Sequence, residues 1–189
     1  MKKDYQQIID RLPEYIKKKR LKHSLTMFDE VDAFAKLYQF PVKKVKTACL
    51  LHDVARDLSD EELFEYCELN RLEISALERR QTVLLHGRVG MLIAKKHFEI
   101  DDIDILNAIQ FHTTGRKGMS LVEKIVYILD FCEPTRTFPE AKVAYKMFKT
   151  DLKKTMHYCL KFGFTSLLER NRAIHHCLLE AYNELILGE

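Results

Sequence analysis

The sequence predicts an all-α fold. Apolar residues recur at intervals of three and four along most of the chain, as in Val45, Ala48, Leu51 and Ala55, which is the period of a helix face. The 189 residues include only 6 Gly and 4 Pro, and helix-capping patterns precede several of the apolar stretches. No convincing alternation of apolar and polar residues, the pattern of a half-buried strand, stands out. These observations favour a bundle of roughly eight or more short helices.

Start and stop signals divide the chain in order. Pro13 and Pro41 stand where a first helical turn begins, a position that tolerates the missing N–H of proline. Asp101 and Asp102 offer an N-cap to a later helix, and Gly115 fits a C-terminal cap. The capping-box pattern, a serine followed three residues later by a glutamate, occurs at Ser59 with Glu62, Ser75 with Glu78 and Ser120 with Glu123.

A single domain is expected over residues 1–189, because the length suits one hydrophobic core and no linker rich in Pro, Gly and Ser interrupts the chain. The apolar pattern of residues 139–189 predicts one or two closing helices that complete the bundle and form one wall of a site.

The overall charge gives no reason to expect a nucleic-acid or membrane partner. A net charge of +3 arises from 31 basic and 28 acidic residues, so no large field of one sign exists. The short basic run Lys17–Arg20 is typical of a solvated helix end. A small-molecule partner is therefore favoured, with local basic residues available for phosphate groups.

The cysteines indicate a reducing compartment. There are five, an odd number, without a C-x-x-C pair, and most lie within apolar helical patterns. The N-terminus turns polar too early for a secretory signal, and no run of about 18 apolar residues exists. We therefore expect a cytoplasmic protein.

Four of the eight histidines and two aspartates form a candidate metal-ligand set. Each lies where a helix starts or stops, or in line with an apolar stripe: His23, His52, Asp53, His86, His112 and Asp130. An ionised aspartate on an inward face costs several kcal/mol unless it is paired or bound to a metal ion. Helix bundles build metal sites from such inward side chains.

Each of these residues also has a structural interpretation. A lone histidine on an apolar face is more often a core residue, and Asp53 could pair with Arg56. Asp130 could cap the next element, since Pro134 follows shortly. Six such placements in one chain favour a ligand set. Its nitrogen and oxygen donors, without thiolate, suit Fe, Mn, Co, Ni or Zn.

The order His, His-Asp, His, His, Asp resembles that of the HD-domain metal phosphohydrolases. A narrower resemblance, to the bacterial symmetrical dinucleoside tetraphosphatases, covers about Arg20 to Arg136 and implies that the core of the domain lies at about 20–136. It rests on the strings Arg20-x-x-His23-Ser24, Leu51-His52-Asp53-x-x-Arg56, His86-Gly87, His112-Thr113-Thr114-Gly115 and Asp130-x-x-Glu133-Pro134-x-Arg136. The His-Asp pair alone is a weak signal, whereas the last two strings are much more specific.

The resemblance implies an HD-domain helical bundle with two metal ions, iron by preference, in its core. His23, His52, Asp53 and Asp130 would hold one ion, and Asp53 would bridge to a second that His86 and His112 complete. Two ions roughly 3.5–4 Å apart activate a shared water for in-line attack on phosphorus. The implied reaction is the symmetrical cleavage of diadenosine tetraphosphate to two ADP. A homodimer is expected from the resemblance and from the frequency of two-fold dimers.

Site roles follow from the motifs and from the chemistry of phosphate. Catalytic roles are expected for Asp53, Arg56, His86 and Arg136. Substrate contacts are expected from Arg20, His23, Arg56, Thr113, Thr114, Arg116, Lys117 and Arg136, since arginine binds phosphate bidentately and threonine donates a hydroxyl. For each arginine except Arg136, a solvated surface charge is an equal alternative. Tyr127 and Phe138 could touch a base, although aromatics at helical spacing are usually core.

Two positions depart from the family pattern. Arg56 stands where these proteins often carry lysine, which keeps a cation but makes a proton-donor role doubtful. Leu129 replaces a residue that is often small, which affects packing more than ligation.

Other functions remain open alternatives at this stage. One is a nucleotidase or phosphodiesterase that acts on another nucleotide, and another is a non-catalytic sensor that binds metal and nucleotide. His175-His176-Cys177 and His157-x-Cys159 lack further matched ligands and are interpreted as structural. Neither Gly87-x-x-Gly90 nor Gly115-x-x-Gly118 follows a strand signal, so neither supports a nucleotide fingerprint.

Overall fold

Helices make up the regular secondary structure of the computed structural model, which describes residues 5–188. In chain order the α-helices are α1 Gln6–Arg11, α2 Lys18–Tyr38, α3 Val42–Leu51, α4 Asp60–Leu69, α5 Ala76–Arg80, α6 Leu85–His97, α7 Ile103–Phe111, α8 Leu121–Cys132, α9 Pro139–Phe148, α10 Leu152–Glu169 and α11 His176–Leu187. Short 3₁₀ turns at Leu12–Glu14 and Thr82–Leu84 precede α2 and α6. The all-α prediction is confirmed.

The predicted helix boundaries are present in the structure. In all three capping boxes the serine side chain accepts from the backbone N–H of the glutamate, and the glutamate accepts from the backbone N–H of the serine. Asp102 caps α7 by accepting from two backbone N–H groups. Gly115 adopts φ +63° and its N–H donates to the carbonyl of Phe111, which ends the turn after α7. Pro13 lies in the first 3₁₀ turn, and Pro41 immediately precedes α3.

Helix α3 lies at the centre of the fold. Residues 45–51 are buried all round the helix, and α3 packs against α2, α7 and α8. Helix α6 packs against the outer side of α7. Because α3 and α7 both end inside this group of helices, the residues that follow them are held in the core.

The C-terminal segment contains three helices, α9, α10 and α11, so the expectation of one or two closing helices was wrong. The first additional boundary is at Asp151, whose side chain caps α10. The second is the turn after α10, where Asn171 has φ +51°. Helix α10 packs against α8, α9 and α11, and this contact joins the segment to the rest of the molecule.

The five cysteines are all buried and none forms a disulfide, which agrees with their expected use as small apolar residues. Within residues 5–188, no helix combines the length and the apolar character that a membrane span requires.

Candidate metal centre

The six predicted ligand residues meet at one point in the core. Two of the histidines follow helix ends directly, one lies in a first turn and one lies in mid-helix. His23 is on α2, His52 and Asp53 follow α3, His86 is in the first turn of α6, His112 follows α7, and Asp130 is on α8. All but the partly exposed Asp130 are buried. We call these six residues the core cluster.

The four imidazole rings form a continuous row. Ring centroids are 5.2 Å apart for His23 and His52, 4.9 Å for His52 and His112, and 4.8 Å for His112 and His86. Potential ligand atoms of His23, His52 and Asp130 lie within 4.8 Å of one another, and so do those of His52, Asp53 and His112. Ligands from five separate segments of the chain therefore converge on one small volume.

Every ring of the core cluster is anchored through Nδ1. His52 Nδ1 donates to the carbonyl of Cys49 at 2.9 Å, and His112 Nδ1 donates to the carbonyl of Ile109 at 2.7 Å. These carbonyls lie in the last turns of α3 and α7, where helical partners are lacking. His86 Nδ1 pairs with the carbonyl of Val83, and His23 Nδ1 pairs with the carboxylate of Glu133. All four Nε2 atoms are thereby turned towards the centre of the cluster.

Among the described residues, one inward nitrogen lacks a hydrogen-bond partner and two others face each other, whereas His23 Nε2 lies 3.0 Å from the Asp130 carboxylate. His52 Nε2 is buried and makes no hydrogen bond. His86 Nε2 and His112 Nε2 lie 2.9 Å apart, so two groups that donate from Nδ1 face each other with their lone pairs. Buried polar atoms in folded proteins are normally satisfied, and a bound cation would satisfy both arrangements. The donor set therefore fits a metal ion.

Asp53 lies between the two halves of the row. Its Oδ2 is 3.6 Å from His52 Nε2, and its Oδ1 is 3.4 Å from His86 Nε2 and 3.7 Å from His112 Nε2. On the far side of His52, the Oδ1 of Asp130 is 3.0 Å from His23 Nε2. Asp53 thus presents one oxygen to each half of the core cluster. Bridging ligation by Asp53 stays a prediction.

The pKa values of the cluster residues give it two negative charges that attract a cation. Burial opposes ionisation of Asp53 and Asp130, but the neighbouring histidines outweigh burial and hold both pKa values well below the usual range for aspartate. Burial lowers the pKa of His52 to about 4. At neutral pH the carboxylates are therefore charged and His52 is neutral, as metal binding requires. His23 differs, because its hydrogen bonds to Asp130 and Glu133 outweigh burial and raise its pKa to about 9, so a metal ion must displace a proton from it.

Gly87 permits the close approach that brings His86 to His112. A Cβ atom at Gly87 would lie 2.4 Å from the carbonyl oxygen of Gln110, which belongs to α7. Such a contact is far inside van der Waals distance, so only glycine lets α6 and α7 pack at this spacing. The His86-Gly87 string thus has a structural reason.

Two of the predicted phosphate-binding arginines are bound to carboxylates of the core cluster. Arg20 donates to Asp53 at 2.8 Å and to Asp57 at 3.1 Å, and Arg136 donates to the side chain and the backbone carbonyl of Asp130. Both guanidinium groups therefore position ligand carboxylates. Asp53 pairs with Arg20, not with Arg56 as the structural interpretation of the sequence had it.

Arg116 is occupied elsewhere. It makes two 2.7 Å hydrogen bonds to the buried carboxylate of Glu123, and its guanidinium lies over the ring of Phe111. Lys117 is exposed on the same loop. Phosphate contacts by Arg116 and Lys117 stay a prediction, and the bond to Glu123 does not favour such a contact for Arg116.

Arg56 and Thr113 are better placed for substrate. Arg56 is half-buried and borders a cavity that also touches Thr113. Burial and the nearby Arg20 lower the pKa of Arg56. Thr113 Oγ1 is 3.2 Å from His112 Nε2 and 3.4 Å from His86 Nε2, whereas the Thr114 hydroxyl donates to the carbonyl of Gly115. Substrate binding by these residues stays a prediction.

Glu133 is a functional candidate that the sequence argument did not assign. Its fully buried carboxylate lies 3.0 Å from His23 Nδ1 and also accepts hydrogen bonds from Thr135. Carboxylates in this position fix the orientation of a ligand histidine. Its position in the Asp130-x-x-Glu133-Pro134-x-Arg136 string could have indicated a role for Glu133. No nearby sequence pattern predicts its contact with His23, which lies 110 positions earlier.

Comparisons with known proteins agree with the geometry. The HD domain family model matches residues 20–135. A symmetrical bis(5'-nucleosyl)-tetraphosphatase from Halalkalibacterium halodurans is 34% identical over 90% of each chain, and one from Bacillus subtilis is 29% identical over 88% of this chain and 89% of that protein. A crystal structure from Clostridium acetobutylicum, described as a predicted HD superfamily hydrolase involved in NAD metabolism, has a TM-score of 0.92 at 38% identity over 98% of each chain.

Proposed function

The chain belongs to the HD-domain family, within it to the symmetrical bis(5'-nucleosyl)-tetraphosphatases, and from this membership we propose that it hydrolyses diadenosine tetraphosphate to two ADP. One water molecule adds across the central phosphoanhydride bond, and each half leaves as a nucleoside diphosphate. The observation that carries this proposal is the convergence of four anchored imidazoles and two carboxylates. Helix bundles build metal sites from such inward donors, and a metal ion would supply the partner that they need.

The core cluster would hold two metal ions. His23, His52, Asp53 and Asp130 form one ligand group, and Asp53, His86 and His112 form the other. When bound, the ions supply an activated water nucleophile and offset the negative charge of the phosphates. Iron is our proposal for the resident metal, by resemblance, and the same donors also suit Mn, Co, Ni or Zn.

The surrounding side chains orient the ligands and the substrate. Glu133 holds His23, Arg136 holds Asp130, and Arg20 holds Asp53. The two arginines donate to the same oxygens that face the histidines, Asp53 Oδ2 and Asp130 Oδ1, and a bound metal ion would share these oxygens with them. A catalytic role for Arg136 would be exerted through its contact with Asp130.

Arg56 and Thr113 are the phosphate contacts that we propose. Arg56 stays charged because an arginine hardly deprotonates even after burial lowers its pKa, so it binds and neutralises phosphate but donates no proton. The Thr113 hydroxyl, next to His86 and His112, donates a hydrogen bond to a phosphate oxygen at the cluster.

Product analysis tests this function. Metal-loaded protein is incubated with diadenosine tetraphosphate and the nucleotides are separated by chromatography. ADP as the sole product is expected. ATP and AMP in equal amounts would contradict symmetrical cleavage, and turnover of mononucleotides alone would establish the rival nucleotidase. Tight nucleotide binding without turnover would establish the sensor instead.

We extend the proposal to the setting of the enzyme. The buried, unpaired cysteines support a cytoplasmic location. Contacts of α10 with α8 support one domain that includes residues 139–188. We also propose a homodimer, by resemblance. The molar mass of the purified protein, measured by light scattering, tests this proposal.

A further inference from the structure

His86 differs from the other three histidines of the core cluster in what holds its ring. The carbonyls that accept from His52 and His112 belong to the last turns of α3 and α7, so regular helix fixes their positions. His23 pairs with a buried carboxylate. The carbonyl that accepts from His86 belongs to Val83, an exposed residue in the 3₁₀ turn before α6. Its position therefore depends on how this turn is held.

Val83 lies in a segment with little regular structure. Residues 70–84 connect α4 to α6 and contain the five-residue helix α5 and the 3₁₀ turn Thr82–Leu84. We call these residues the connecting segment. A helix as short as α5 has little stability of its own, so contacts with the neighbouring helices must fix the segment.

Arg88 holds the connecting segment to α6 at two points. Its guanidinium donates to the Glu78 carboxylate at 2.9 Å and to the Glu73 carbonyl at 2.8 Å. Glu78 is buried, and it also accepts hydrogen bonds from the backbone N–H and the hydroxyl of Ser75, the N-cap of α5. The side chain of Arg88 therefore fixes both α5 and the residues that precede it.

The ion pair between Arg88 and Glu78 is a demanding contact. Burial would raise the pKa of Glu78, but hydrogen bonds from Ser75 and Arg88 outweigh burial and lower it. Glu78 is therefore ionised at neutral pH, and an ionised buried carboxylate requires a cationic partner. The pair spans ten positions and closes a loop that contains both Val83 and His86.

A second contact holds the 3₁₀ turn from the opposite side. The hydroxyl of Thr82 donates to the carboxylate of Asp60, at the start of α4, with a distance of 2.5 Å. Val83 is the next residue, so its carbonyl is placed between this hydrogen bond and the first turn of α6. The turn is thus attached to α4 directly and to α6 through Arg88.

On the basis of the proposed function, we propose that Arg88 is a positioning residue for the metal ion at His86 and His112. Arg88 fixes the connecting segment, the segment fixes the carbonyl of Val83, and this carbonyl fixes the ring of His86. Because a carbonyl only accepts, the contact keeps the proton on Nδ1 and leaves Nε2 free to bind the ion. Arg88 acts through the segment and is not itself a ligand.

Three variants separate this role from a contribution to stability alone. Arg88→Met removes the cation and both of its hydrogen bonds but keeps an unbranched side chain on α6. Arg80→Met removes the same charge from an exposed position on α5 and is the matched control. The double variant Glu78→Gln, Arg88→Met also removes the unpaired buried charge, so it should recover stability without restoring the contact between α5 and α6.

Proton exchange in the metal-free protein reports the ring contacts directly. Exchange of the imidazole Nδ1–H protons is followed by NMR. At His86 it should be at least about tenfold faster in Arg88→Met than in the wild type, because the segment opens more often once a contact is lost. At His52 and His112 it should be unchanged. Arg80→Met should match the wild type at all three rings.

Metal binding gives a second readout. Calorimetric titration with Mn²⁺ should show two ions per chain in the wild type and in Arg80→Met. In Arg88→Met one of the two ions should bind about tenfold less tightly, at the lower end of the loss for contacts that orient a ligand histidine. The double variant should regain unfolding free energy but not this affinity. Recovery of both would show that Arg88 only stabilises the fold and would overturn the inference.

Equal exchange at His86 in Arg88→Met and Arg80→Met would also overturn it, as would unchanged affinity for both ions in Arg88→Met. If Arg88→Met does not fold, Thr82→Val removes the other contact of the turn, and unchanged exchange at His86 in that variant would overturn the role of the segment. The proposed function is judged separately by the products of the wild type. Failure to form ADP would reject that function, whereas the exchange measurement needs neither metal nor substrate and still decides the inference.

Discussion

Histidines gather in two regions of the molecule, and the two groups are built differently. In the core cluster the ligands come from five segments, and each imidazole is anchored through Nδ1 with Nε2 directed inward. At the start of α11, His175, His176 and Cys177 also bring potential ligand atoms within 4.8 Å, but they are consecutive residues. His175 uses Nδ1 to accept the N–H of Cys177 as a helix cap.

The difference shows that convergence with fixed ring orientation distinguishes a metal centre from a local grouping of ligand-type residues. The core cluster also contains two carboxylates that stay ionised despite burial, whereas burial raises the pKa of the Cys177 thiol. A neutral thiol is a poor metal ligand. This contrast supports the core cluster as the proposed metal centre and a structural role for the group at 175–177.

Replacing the residue between the two halves of the core cluster should have the largest effect. Asp53→Asn removes the charge that both halves share, so bound metal and hydrolysis should be lost together. Loss of metal-based stabilisation is worth several kcal/mol, which corresponds to a rate decrease of roughly 10²–10⁴-fold. Metal content by mass spectrometry and initial rates measure it.

Asp57→Asn is the matched control, because Asp57 shares Arg20 with Asp53 but does not contact the histidines of the cluster in the described contacts. It should retain its metal. Activity that persists in metal-free Asp53→Asn would contradict the role of the cluster.

Glu133→Gln should weaken metal binding by an intermediate amount. Loss of a carboxylate that orients a ligand histidine typically reduces metal affinity by about 10–100-fold. Substitution of the exposed Glu169 by Gln provides the comparison. Unchanged affinity in Glu133→Gln would mean that His23 needs no anchor.

The same variant has a pH signature. Burial alone would lower the pKa of His23, but hydrogen bonds to Asp130 and Glu133 outweigh burial and raise it to about 9. Metal-free protein therefore carries a proton on His23 at pH 7.5, and metal uptake must release it, so metal affinity should rise with pH up to about 9. Calorimetry in buffers of different ionisation enthalpy counts the released protons. The count at pH 7.5 should fall in Glu133→Gln, and an equal count would contradict this assignment.

Two helical glycines, Gly87 beside the core cluster and Gly163 in α10, should respond oppositely to alanine. Gly87→Ala forces its Cβ against the Gln110 carbonyl and should cost about 1–3 kcal/mol of unfolding free energy. Gly163→Ala finds space inside α10 and should gain about 0.5–1 kcal/mol from helix propensity. Urea denaturation of the metal-free proteins measures both. A destabilised Gly163→Ala would show that α10 is packed more tightly than the structure has it.

The smallest effect is expected in the group at 175–177. His176→Ala removes the ring that contacts the Cys177 thiol, and the metal content of the purified protein should stay unchanged within error. Loss of bound metal in this variant would mean that the group at 175–177 is itself a metal site, which would contradict its structural role.

Every residue of the core cluster could be predicted from the sequence, but few of the contacts around it could. Histidine and aspartate on apolar stripes are costly unless they have a partner, so His23 and Asp130 were visible without any structure. The partners were not visible. Arg20 and Arg136 were expected to bind phosphate, but they reach carboxylates of the cluster, and the pairing of His23 with Glu133 spans 110 positions.

The C-terminal region was harder to predict for a related reason. Phe162 and Leu178 line a cavity that Arg56 also borders. They have the same helical spacing as core residues, and spacing alone does not distinguish a cavity wall from a packed core. The third closing helix was missed because its boundaries, at Asp151 and Asn171, lack the proline and glycine signals used elsewhere.

The positions of the bound metal ions are the most decisive test of whether the core cluster is the metal centre. Crystals of protein purified with its metal can be measured at the absorption edge of that metal, and an anomalous difference map then shows each ion. We predict two peaks, one on each side of the Asp53 carboxylate. One lies next to His23, His52 and Asp130, and the other lies next to His86 and His112. No peak at the core cluster, or a peak only beside His175, His176 and Cys177, would contradict it.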